Sequence, residues 1–118
     1  MMNFEKYTNS SKKIINSAQN LALGKKHQKI APIHIINELL NSNHEIITKI
    51  FEKININNIK KNISELLLKE PINNSTTSQI YADPKLLILF ESAEKIAKTN
   101  QDSFVSIDTL LLLSLIHI

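Results

Sequence analysis

The chain has 118 residues, enough for one domain with a modest core, and its 42% hydrophobic and 21% charged content excludes wholesale disorder. It has no Cys, which excludes disulfides, thiolate metal sites and a cysteine nucleophile, and suits a reducing compartment. The net charge is only +3 and every basic residue is Lys, so the planar Arg forks that phosphate and base recognition lean on are missing.

The first thirteen residues hold no apolar stretch of the secretory kind. The longest apolar run, Leu110 to Ile118, is broken by Ser114 and His117 and falls short of the roughly 20 residues of a membrane span. A cytoplasmic chain with no membrane partner is the expectation.

Thr8 is placed to cap a first helix, since its hydroxyl can accept from free backbone N–H groups of the first turn. Ile14, Ile15, Ala18, Leu21 and Ala22 then form one face at helical spacing, and Gly24 with the following Lys-Lys-His-Gln-Lys reads as fraying and turn. Pro32 suits the first residue of a second helix, with Ile33, Ile36, Leu39 and Leu40 inward, although Ala31 offers no capping acceptor. A short third helix should turn Ile46, Ile47, Ile50 and Phe51 inward. Asn57 should cap a fourth, carrying Ile59, Ile63, Leu66 and Leu67, which Pro71 stops.

Residues 71–79 are polar and unpatterned, a linker by composition. Asp83-Pro84 is the strongest local start signal in the chain: a cap followed by Pro in the first turn. The helix it opens should bury Leu86, Leu89, Phe90, Ala93, Ile96 and Ala97. Ser106 should cap a last helix with Leu110, Leu111 and Leu115 inward.

The two ends of this list superpose at a spacing of 75 positions. Thr8 meets Asp83, both caps. Ile14-Ile15 meet Leu89-Phe90, Ala18 and Ala22 meet Ala93 and Ala97, Ile30 meets Val105, and Ile35-Ile36 meet Leu110-Leu111. Apolar matches alone come cheaply by chance, but caps, small residues and turn length matching together define an internal repeat. The expected fold is all-α, built of two pseudo-repeats of a four-helix unit: residues 1–70, a linker 71–79, and a second unit 80–118. The first unit runs through two helices without counterpart in the second, which is expected to be incomplete at its C-terminus by roughly 25–30 residues.

Catalytic constellations are absent from the sequence. One Gly cannot build a nucleophile elbow or a phosphate-cradling loop. The four His show no i, i+4 pair, so no metal is expected; His27 reads as a turn residue and His34 as a partly buried packing residue. A DNA-reading helix–turn–helix would carry polar base-reading residues where the second helix has Ile33, His34, Ile35 and Ile36, so no nucleic-acid partner is expected. Aromatics near helix entrances (Phe4, Tyr7, Tyr81, Phe90 and Phe104) suit core packing and also a shallow groove for extended peptides.

The opening MNFEKYTNSSKKIINSAQNLALGKKHQKIAPIHIINELL resembles the start of the Clp N-terminal repeat domain, and QIYADPKLLILFESAEKIAKTNQDSFVSIDTLLLL resembles its second repeat. The segments Gln79–Tyr81 and Asp102–Ser106 are most similar to the disaggregase branch of that family. The resemblance implies a non-catalytic domain that binds unfolded or aggregated polypeptide and passes it to a hexameric, ATP-driven AAA+ motor on the same parent chain. The alternative it leaves open is an adaptor- and substrate-docking domain of a proteolytic Clp ATPase. ATP belongs to the motor modules, and no cofactor is expected in this segment. The substrate-binding residues implied are Thr8, Asp102 and Asp108, with Phe90 and Leu86 in a neighbouring apolar groove. Each has a structural role available as well, since caps and first-turn acids stabilise helix starts by about 1 kcal/mol or less.

Overall fold

The computed structural model describes residues 3–73 and 80–117. Among these described residues six helices carry the fold: α1 (Asn9–Gly24), α2 (Pro32–Asn41), α3 (Glu45–Ile50), α4 (Ile56–Leu68), α5 (Pro84–Thr99) and α6 (Ile107–His117). Between them lie two very short strands, β1 (Lys29–Ile30) and β2 (Tyr81–Ala82), paired in parallel. Of the expected linker, residues 74–79 lie outside the described residues.

Two caps act where the sequence puts them, while Ser106, expected to cap α6, gives its hydroxyl to the Asp108 carboxylate. Thr8 Oγ1 accepts from the Ser11 N–H at 3.1 Å, and Asp83 Oδ1 accepts from the Lys85 N–H at 2.8 Å. Ala31 cannot accept, but His34, three residues on, supplies a reverse contact: its Nδ1 accepts the Ala31 N–H at 2.9 Å. The fourth helix starts earlier than expected, capped by Asn55 rather than Asn57, because Asn55 Oδ1 takes up the Asn57 N–H.

Helix α2 sits at the centre, packed against α1, α4 and α6. Seven of its ten residues are buried: Pro32, Ile33, His34, Ile35, Ile36, Leu39 and Leu40. Burial of each Leu or Ile there contributes about 1.5–3 kcal/mol. Helices α1 and α5 each bring two fully packed Ala residues to the core: Ala18 and Ala22, Ala93 and Ala97.

Three inward faces differ from expectation. Ile46 and Ile50 are exposed, because a six-residue helix turns only one side to the core and that side is Ile47, continued by Phe51. On α4 only Ile63 and Leu67 are buried; Leu66 faces out and Ile59 is half-buried. On α6 the inward residues are Ile107, Leu110, Leu111, Leu113 and Ser114, while Leu115 is exposed. That helix is apolar all round, so spacing alone does not say which face turns inward.

The repeat is visible in the backbone. Helices α1 and α5 both have 16 residues and start 75 positions apart. Each ends in a Schellman motif whose left-handed residue is not glycine: Lys26 at φ 57° and Gln101 at φ 59°. His27 N–H bonds to Ala22 O at 3.0 Å, and its counterpart Asp102 N–H bonds to Ala97 O at 2.8 Å. Gly24, expected in the turn, is instead the last residue of α1, and no glycine has positive φ.

The two units hold each other reciprocally. The Asp83 N–H donates to Ile30 O at 2.9 Å, and 75 positions away the Thr8 N–H donates to Val105 O, also at 2.9 Å. Each unit's pre-helix segment is thus pinned by the other's. The first of these joints also carries an ion pair, Lys29 Nζ to Asp83 Oδ2 at 2.7 Å. Burial pushes the Asp83 carboxyl up, but the Lys29 ammonium and the Lys85 N–H outweigh it and hold the group below its usual range.

Candidate functional site

The segment ahead of α1 crosses the face of α5 and separates two clefts. Tyr7 is its anchor: 2% exposed, with its hydroxyl donating to Phe90 O at 3.4 Å. Burial, reinforced by Glu94, pushes the phenol up, so Tyr7 stays a neutral donor at all ordinary pH. Phe4 completes an edge-to-face cluster, its ring centroid 5.1 Å from those of both Tyr7 and Phe90.

The smaller cleft, about 310 Å³, is walled by Asn3, this aromatic cluster, Leu87, Glu91 and Glu94. The larger, about 660 Å³, is walled by Lys6, Glu94, Lys95, Ala97, Lys98, Asp102, Ser103 and Val105. Glu94 borders both, so the two clefts are neighbours along α5.

Phe90 and Asp102 are therefore brought to neighbouring clefts, one in each. Leu86 borders neither: it is 1% exposed inside the core, and the next residue, Leu87, takes the cleft wall. Thr8 is the half-buried cap of α1. Its hydroxyl donates to Ser11 Oγ at 2.9 Å, and Ser11 Oγ donates in turn to the carbonyl of Val105, which lines the larger cleft, at 3.1 Å; Thr8 itself borders neither cleft. Asp108 is exposed in the first turn of α6, hydrogen-bonded to Ser106, and borders neither cleft.

A second polar feature joins the turn after α1 to the first turn of α2. His27 and His34, read from the sequence as a turn residue and a partly buried one, are 6% and 0% exposed. Their Nδ1 and Nε2 atoms are 2.8 Å apart. Burial, then His27, presses the His34 imidazole down to about 4; burial also lowers His27, against the pull of Glu70. The contacting nitrogens are bonded to each other, and among the described residues no three His, Asp or Glu side chains gather as a metal would need. The signal in the sequence was His34 itself, three residues beyond a cap position that lacks an acceptor.

Residues 6–116 match the family model of the Clp repeat (R) N-terminal domain. The chain belongs to this family. As a Clp repeat domain it is 37% identical over 114 residues to the chaperone protein ClpB of Rhodopseudomonas palustris, and 36% over 112 residues to that of Rickettsia conorii. Those alignments cover 94% and 92% of this chain, and the chain spans 13% of the length of each relative. The fold is also that of the Hsp104 N-terminal domain from Candida albicans, with a TM-score of 0.85 at 23% identity over 94% of this chain and 74% of that one. Among the described residues the fold is helical apart from one minor strand pair, which joins the two units.

Proposed function

We propose that this Clp repeat domain is the non-catalytic substrate-recruiting part of a ring-forming, ATP-dependent disaggregase. It binds unfolded or aggregated polypeptide and passes it to the AAA+ modules of its parent chain, which bind ATP and form a hexamer in the cytoplasm. The observation that carries this reading is the match of nearly the whole chain to a Clp repeat domain with ClpB relatives above 30% identity. The surface on α5 supports it, since an aromatic cleft beside a lysine-bordered one offers apolar area and polar partners to an extended chain. Asp102 and Phe90 are the contact residues proposed on that surface, with Thr8 positioning its wall and Asp108 contributing from the first turn of α6; Leu86 supports it from the core.

The test is titration of the folded domain into fluorescently labelled, reduced and carboxymethylated α-lactalbumin, a permanently unfolded chain. Saturable binding that the native, disulfide-bonded form does not show is expected. Absence of binding by a domain whose circular dichroism remains helical would sink the proposal.

A further inference from the structure

The turn after α1 holds together stretches of chain that are far apart in sequence. The Gln28 N–H donates to Pro71 O at 2.9 Å and the Asn73 N–H donates to Lys26 O at 2.7 Å, so the chain leaving α4 pairs antiparallel with the turn, Ile72 opposite His27. The Gln28 carbonyl accepts from the Tyr81 N–H at 3.4 Å, which brings in the chain entering α5. Lys26, Gln28 and Ile72 are exposed, so the buried His27 ring is what fastens this pairing to the core. Its partner there is His34. Because His34 Nδ1 accepts the Ala31 N–H, His34 Nε2–H must donate and His27 Nδ1 must accept. His27 keeps its place only while Nδ1 carries no proton.

The charged groups acting on the pair are Lys25 at the end of α1, Lys29 in β1 and Glu70 beside Pro71. Both lysines oppose positive charge on the rings, and Lys29 is already tied to Asp83. Glu70 attracts it to His27. We propose that the turn is an acid-operated latch: on protonation His27 exchanges His34 for Glu70, and the pairing of Lys26–Gln28 with Pro71–Asn73 opens while the rest of the fold stays closed. The joints between the two units, Asp83 N–H to Ile30 O and Thr8 N–H to Val105 O, involve neither histidine and remain. Burial holds the proton affinity of the closed His27 below its usual value, and release to water restores it. The latch is therefore fully closed above about pH 6.5 and is lost as the pH falls below that value.

Amide hydrogen exchange of the whole chain at pH 7 and pH 5, expressed as protection relative to the intrinsic rate at each pH, tests this. Protection of the Gln28 and Asn73 amides should fall by about tenfold or more at pH 5, while that of Thr8 and Asp83 falls by less than about threefold. His27→Gln, whose side-chain oxygen can accept from His34 but takes up no proton, should remove the pH dependence at Gln28 and Asn73. Glu70→Gln should move the loss to lower pH, and an unmoved loss overturns the exchange of partners. Unchanged protection of Gln28 at pH 5, or an equal loss at Thr8 and Asp83, also overturns the latch. Should His27→Gln fail to fold, ring nitrogen chemical shifts of the unaltered chain decide: His27 must titrate in step with the loss at Gln28, and a titration out of step with it overturns the proposal.

Discussion

The bond between His34 and His27 has a fixed direction. The Ala31 N–H can only donate, so the His34 Nδ1 it reaches at 2.9 Å is unprotonated. The neutral His34 ring then carries its proton on Nε2, and that N–H donates to His27 Nδ1 at 2.8 Å. Protonating His27 at Nδ1 sets a donor against the His34 Nε2–H, and protonating His34 at Nδ1 sets a donor against the Ala31 N–H.

A pH dependence of stability follows. Unfolded, His34 takes up its proton near pH 6.5; folded, it resists until about 4. Stability should therefore be level above pH 6.5, fall as pH drops from 6.5 to about 4, and flatten below. The shift sets an upper scale of about 3 kcal/mol for the whole loss. Urea midpoints across that range check it, and His34→Leu should remove most of the slope. A stability that rises on acidification through this window contradicts the bond direction.

The aromatic anchor makes a separable prediction. Phe4 lies edge-on to Phe90 with centroids 5.1 Å apart and planes at 72°. A double-mutant cycle of Phe4→Leu and Phe90→Leu should return a coupling of about 1 kcal/mol in urea unfolding. Phe90→Ala alone should cost about 3–5 kcal/mol, because Phe90 is buried and the void cannot collapse onto Tyr7 without breaking the hydroxyl bond to Phe90 O.

What the sequence made legible was local chemistry. Thr8, Pro32 and Asp83-Pro84 mark helix starts because a cap acts within its own first turn, and the structure keeps all three. The repeat was legible because caps and small core residues recur at one spacing. Non-local features were hidden. A two-residue strand such as Lys29–Ile30 has no alternation to detect, and it pairs with residues more than 50 positions away. His27 and His34 meet only because the turn folds back, and helical spacing says nothing about that. On the candidate surface, Phe90 and Asp102 were legible as an aromatic on an amphipathic helix and a turn acid, but the exposed wall residue is Leu87, not Leu86. A position's phase on a helix is known from sequence to about one residue, and here one residue separates core from cleft.

The Schellman residues give a third prediction. Lys26 and Gln101 adopt the left-handed region, where a Cβ costs roughly 1 kcal/mol that glycine avoids. Lys26→Gly and Gln101→Gly should each raise the urea midpoint, by up to about 1 kcal/mol in stability, with the slope of the transition unchanged. Gly24→Ala should also stabilise, by about 0.5–1 kcal/mol, since Gly24 lies inside α1 with open space where a Cβ would go. If Gly24→Ala were destabilising and Lys26→Gly neutral, the turn would be built around the glycine after all.

Ser114 supplies the last. It is completely buried on the inner face of α6, and its hydroxyl oxygen has no hydrogen-bond partner among the described residues. The position 75 residues earlier is Leu39, equally buried in α2, so the repeat puts an apolar side chain at the matching place. An unpaired hydroxyl in such surroundings costs about 1–3 kcal/mol, and removing it returns that cost with little loss of volume. Ser114→Ala should accordingly stabilise the chain by about 1 kcal/mol, read as a shift in thermal midpoint upward at unchanged helix content. Ser114→Leu, which restores the residue type of the first unit, should do worse than Ala, because α6 has packed around a small side chain and added methylenes strain a close-packed interface. A destabilising Ser114→Ala would mean that the hydroxyl has a partner after all, and would move Ser114 from a packing compromise to a working polar contact between α6 and the rest of the core.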